Sequence, residues 1–91
     1  MIHAKVPERN GVEYRGFYKA TVDKITPGGD TCFARLMVPK DGVEYAVLNI
    51  EETHGAQHLR NKNGGSFAKG ELITILKMER LGDSFTALEL A

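Results

Sequence analysis

Apolar residues recur along this chain mainly at every second position, and the runs are cut by glycine and proline, which is the pattern of short half-buried strands. In "GFYKATVDKI" the set Tyr18, Ala20, Val22 alternates with Phe17, Lys19, Thr21, Asp23. The "TPGGD" that follows (residues 26–30) carries one proline and two glycines and predicts a hairpin turn. In "TCFARLMV" the inward row is Cys32, Ala34, Leu36, Val38, which leaves Thr31, Phe33, Arg35 and Met37 facing out. Residues 39–42, "PKDG", predict a second turn, and "VEYAVLNI" a third strand. The period then changes. Residues 51–65, "EETHGAQHLRNKNGG", combine helix formers with an internal glycine and a polar glycine-rich end, predicting a frayed helical turn and a loop. "KGELITILKMER" is nearly continuously apolar from Leu72 to Met78, as for a strand covered on both sides. A turn at Leu81, Gly82 and Asp83 leads into a fifth strand, "SFTALEL".

Five strands in this order, with a helical or irregular insert between the third and fourth, predict an all-β, five-stranded OB-fold barrel; a small SH3-like barrel is the competing architecture. The first residues, with Pro7, Asn10 and Gly11, show little periodicity. The expected organisation is a flexible N-terminal arm over residues 1–15 and one OB-fold domain over residues 16–91.

Composition narrows the function classes. Ninety-one residues, 42% hydrophobic and 26% charged, suit one small globular domain and not a disordered chain. Cys32 is the only cysteine, so no intrachain disulfide forms, and its inward position reads as a small buried hydrophobe in a reducing compartment. With no run of signal-peptide or membrane-span character, the expected location is cytoplasmic, with no membrane partner. Twelve basic and twelve acidic residues cancel. A nucleic-acid binder of this composition must therefore concentrate its cations on one face.

The segments "ATVDKI", "GGDTCFARL", "DGVEYAVL" and "KGELITILKME" together resemble the ribosomal protein S-one type RNA-binding domain and, more distantly, translation initiation factor one and its relatives. The resemblance covers about residues 16–90 and implies single-stranded RNA binding on the face of strands two and three. The family's second aromatic falls on Phe33 and its strand-three histidine on Tyr45. Asp30 stands where the family has its first aromatic, and neither Asp83 nor Ser84 supplies its basic residue near strand five.

The residues themselves point the same way. A phenylalanine and an arginine on the wet face of a strand, with Lys19 and Tyr45 on the neighbouring strands, combine rings that stack on bases with cations that meet phosphates. Arg60 and Lys62 in "HLRNKNGG", followed by Lys69, add a basic loop of the kind that clamps a backbone. The predicted nucleic-acid-binding set is Lys19, Phe33, Arg35, Tyr45, Arg60 and Lys62. His54 and His58 are four apart, but a third metal ligand would have to come from Glu51, His3 or Cys32, so no metal is expected. The glycine pairs lack the setting of a phosphate loop, and no nucleophile stands near a histidine, so neither a cofactor nor catalysis is expected. The expected function is a non-catalytic single-stranded nucleic-acid binding module, RNA more than DNA. The alternative is a protein-interaction OB domain, a small subunit or phage-type modulator docking on a larger complex through the same rings.

Overall fold

A computed structural model describes residues 12–91. The chain forms β1 (Glu13–Ile25), β2 (Thr31–Lys40), β3 (Val43–Asn49), α1 (Ala56–Lys62), β4 (Leu72–Leu81) and β5 (Ser84–Leu90). The strands close into a barrel in the order β1-β2-β3-β5-β4, with β4 returning to β1. All pairs are antiparallel except β3 with β5. A parallel pair cannot be made by a hairpin, and the path through α1 and β4 provides the required crossover. This is the OB-like arrangement; a barrel in which each strand merely followed its neighbour would lack the parallel pair. Among the described residues no helix is long and apolar enough to cross a membrane.

The turns follow their sequences closely. Asp41 and Gly42, both with positive φ (51° and 78°), join the Lys40–Val43 pair, as the tight reversal of an Asp-Gly hairpin requires. At the β1–β2 end, the Thr26 amide donates to the Thr31 carbonyl at 3.0 Å and the Gly29 amide to the Thr26 carbonyl at 2.9 Å.

β1 serves two ladders. Its first part pairs with β4, from Glu13 opposite Glu79 to Thr21 opposite Leu72, and its last part pairs with β2, from Ala20 opposite Leu36 to Ile25 opposite Cys32. Register shifts between Arg15 and Tyr18 and between Val22 and Lys24 let one strand bend far enough to do both. The strand begins at Glu13, so residues 13–15 of the expected arm belong to the barrel, and most of the remaining arm lies outside the described residues.

The core is a single cluster of inward side chains, including Val22, Cys32, Leu48, Ile75, Met78 and Phe85, joined by Ala56 and Leu59 from α1 and by Phe67 beyond it. Tyr14 closes one side with its ring edge-on to Phe85, centroids 5.1 Å apart. Burial pushes the Cys32 thiol up to about 12, with the Glu71 charge adding to the effect, so this cysteine stays a neutral packing group.

Two inward rows differ from the simple alternation. Val38 is 78% exposed: the β2–β3 register breaks between Arg35 and Lys40, so β2 leaves the inner row after Leu36. β4 is not covered on both sides either. Leu72 is 58% exposed, while Ile73, Ile75 and Met78 point in. The run reads as continuous because Leu72, exposed, and Leu76, half-buried, add apolar residues outside the inner row, while an irregularity at Lys77 moves that row from Ile75 to Met78.

The expected helical turn within residues 51–65 is α1, and its approach is stitched to β5. The Thr53 hydroxyl, buried, donates to the Ala87 carbonyl at 2.6 Å and accepts from the Asn49 amide at 3.0 Å. The His54 amide donates to the Leu88 carbonyl and the Leu90 amide to the His54 carbonyl. Gly55 enters the helix at φ 101°, and a Cβ there would lie 3.3 Å from that of Leu90, so this position requires glycine.

Candidate functional site

The outer face of β1, β2 and β3 carries an open groove of about 690 Å³, lined by Asp23, Lys24, Ile25, Phe33, Tyr45 and Lys69. The β1 irregularity builds it. Val22 pairs with Ala34 and Lys24 with Phe33, which leaves Asp23 as the extra residue of a bulge. Both Asp23 and Lys24 are exposed as a result, where strict alternation would turn one of them inward. Lys69 arrives from the segment before β4, which is fixed to β1 by two bonds: the Gly70 amide to the Val22 carbonyl at 2.8 Å and the Val22 amide to the Glu71 carbonyl at 2.9 Å.

A polar chain crosses the three strands. The Tyr45 hydroxyl donates to Asp23 Oδ2 at 3.1 Å, the Arg35 guanidinium lies 5.1 Å from the centre of the Tyr45 ring, and Arg35 Nη1 is 3.5 Å from Glu44 Oε1. Arg35 and Tyr45 are direct cross-strand partners, so register alone brings ring and cation together. An exposed cation–π contact stabilises by about 0.5–1 kcal/mol and an exposed ion pair by about 0–1 kcal/mol, so Arg35 can exchange these partners for an incoming anion at little cost. Phe33 and Tyr45 are both half-buried, each keeping part of its ring open to the groove.

Three residues of the sequence-derived set, Phe33, Arg35 and Tyr45, thus share one face. The other three lie elsewhere. Lys19 lines a separate depression of about 220 Å³ with Phe17, Tyr18, Met37 and Val38. Arg60 is engaged internally: its Nη1 donates to the Gly29 carbonyl at 3.2 Å and to Asp30 Oδ1 at 3.0 Å, and its side chain is only 18% exposed. Asp30, standing where the resembled family has a ring, is the residue that holds Arg60. Lys62 Nζ pairs with Glu71 Oε2 at 3.0 Å beside a third cleft, between α1 and β4.

Compared with known proteins, the chain matches no family model, no curated protein and no solved structure. The functional reading therefore rests on the chemistry of the groove.

The residues that sequence reasoning missed there are Asp23 and Lys24. Their one legible trace is the Asp-Lys pair after Val22, where two charged residues in succession break the alternation of an otherwise regular strand. Two charges cannot follow an inward valine unless the chain bulges or one of them is buried.

Proposed function

We propose that this protein is a non-catalytic module that binds single-stranded nucleic acid, RNA in preference to DNA, in the groove on the outer face of β1, β2 and β3, and that it works in the cytoplasm. The observation that carries the reading is the groove itself, where two half-open rings, Phe33 and Tyr45, stand with the ammonium groups of Lys24 and Lys69. Base–aromatic stacking contributes about 1–3 kcal/mol per base, so two rings hold a short segment of strand with modest affinity and little dependence on sequence. Lys24, Lys69 and Arg35 supply the phosphate contacts. Zero net charge is compatible with this, because the cations that matter are gathered locally. The resemblance to the S-one type domain, with Phe33 and Tyr45 at its ring positions, supports RNA as the preferred strand.

The test is fluorescence anisotropy of labelled single-stranded RNA and DNA oligomers over a range of salt concentrations. Three phosphate contacts give a log–log slope of about −2 for a single strand. Absence of binding at low salt would sink the reading.

One observation favours a second reading, in which the domain docks on a larger protein or nucleoprotein complex. Phe17, Met37 and Val38 are 79%, 61% and 78% exposed around one depression, separate from the groove that Phe33 lines. Phenylalanine and methionine are enriched at protein interfaces. Co-purification of a partner that survives nuclease treatment, is lost in Phe17→Ser and persists in Phe33→Ala would favour docking over strand binding.

A further inference from the structure

Asp23 is the odd member of the groove. A carboxylate repels phosphates, so on a strand-binding face it either weakens binding or reads something other than the backbone. Three observations support the second role. Asp23 is exposed on a bulge, free of the ladder, and lines the groove together with both rings. Its Oδ2 accepts from the Tyr45 hydroxyl at 3.1 Å, which sets the carboxylate beside the stacking ring. Lys24, its chain neighbour, and Lys69 line the same groove, so acceptor oxygens and a cationic donor lie within one site.

We propose that Asp23 makes this groove selective for guanine. The inference rests on the strand-binding reading above and names which base that site prefers. An ionised carboxylate only accepts hydrogen bonds. A base stacked on Phe33 or Tyr45 turns its edge outward from the ring, and Asp23 meets that edge. Guanine is the base whose Watson–Crick edge offers two adjacent donors, N1–H and N2–H, to the two oxygens of one carboxylate. This is the parallel fork that arginine makes with carboxylates. The neighbouring O6 is an acceptor that lies outside this fork. Cytosine and adenine each offer one amino group next to a ring acceptor. Uracil and thymine offer a single N3–H between two carbonyls that the carboxylate repels. The expected order is guanine first, cytosine and adenine next, uracil or thymine last. The phosphates then meet Lys24, Lys69 and Arg35.

The experiment uses oligouridine carrying one central guanine, adenine, cytosine or uridine, labelled at one end, with anisotropy titrations against the full chain and against two variants. A well-placed two-bond base contact discriminates by roughly tenfold or more, so the guanine oligomer is expected to bind about tenfold tighter than oligouridine. Asp23→Asn, which replaces one acceptor oxygen with a donor, is expected to level that difference while binding oligouridine as well or better. Tyr45→Phe keeps the ring but removes the hydroxyl bonded to Asp23, and is expected to shrink the ratio of guanine to uridine affinity, which is the quantity read. Deoxy versions of the oligomers should show the same base order, since the proposed contact is with the base edge. Equal binding of all four bases by the natural chain, or a guanine preference that survives Asp23→Asn, would overturn the selectivity while leaving strand binding intact. Failure of every oligomer to bind would overturn both.

Discussion

The groove face and the α1 side of this barrel contain the same kinds of residue and use them in opposite ways. On the α1 side, Arg60 is committed to Gly29 and Asp30, and Lys62 to Glu71, which also accepts from Asn63. These cations hold loops. On the groove face, Lys24 and Lys69 line open space, and Arg35 makes only exposed contacts with Glu44 and the Tyr45 ring. A count of positive charges cannot separate the two groups. The difference lies in which cations the topology sets against a carboxylate or carbonyl, and only the remainder are left to meet a ligand.

This contrast can be broken most sharply at Phe33. Phe33→Ala should weaken single-strand binding by about 5- to 150-fold, the equivalent of one lost stacking contact of roughly 1–3 kcal/mol, with the thermal midpoint nearly unchanged. A large drop in the midpoint would mean that the ring is chiefly packing. Arg60→Met should show the reverse behaviour. Loss of the bonds to Gly29 and Asp30, discounted because Asp30 is mostly exposed, should lower unfolding free energy by about 1–2 kcal/mol in urea titrations, and the salt slope of binding should stay put. A change in slope would return Arg60 to the interface.

Smaller effects sharpen the same division. Lys24→Gln and Lys69→Gln should each flatten the log–log salt dependence by about 0.7, without measurable change in stability. Lys62→Gln should cost no more than about 1 kcal/mol of stability and leave the slope as it was; if it flattened the slope, the basic segment after α1 would belong to the binding surface. The smallest effect at neutral pH concerns the barrel interior that joins the two regions. The Cys32 thiol ionises near 9 when unfolded and near 12 in the fold. Below pH 9 both states keep the proton and stability is unaffected; from 9 to 12 the unfolded chain loses it first, so stability falls as pH rises. Urea midpoints followed from pH 8 to 11 should therefore decline more steeply for the natural chain than for Cys32→Ala.

Much of the architecture was legible because it is written in local chemistry. Asp41-Gly42 and Gly82-Asp83 mark their own turns, and Cys32, Ala34 and Leu36 alternate as a buried row must. Phe33 and Tyr45 were legible as outward rings of one face, which now line the groove, because rings on an outer strand face stand out against an alternating pattern. Reading failed where the period of two failed. The break after Arg35 freed Val38, the apolar Leu72 and Leu76 outside the buried row made β4 look double-sided, and the bulge at Asp23 turned Lys24 outward. Arg60 was misplaced for a different reason: its partners lie about thirty residues away, and no local pattern announces a pair made by folding.

The double duty of β1 also sets an order of assembly. Its pairing with β2, and that of β2 with β3, joins neighbours in the chain across short turns, whereas its pairing with β4 waits until residues 72–79 exist and have come back to meet residues 13–21. Contacts between distant parts of a chain form slowly, because loop-closure entropy is lost before they stabilise anything. During synthesis, Asp23, Lys24, Phe33 and Tyr45 can thus be gathered by two hairpins while the barrel is still open. Lys69 joins them only as the chain turns into β4, so the last cation of the groove arrives with the β1–β4 ladder, one strand short of the closed barrel, which β5 completes by pairing with both β3 and β4.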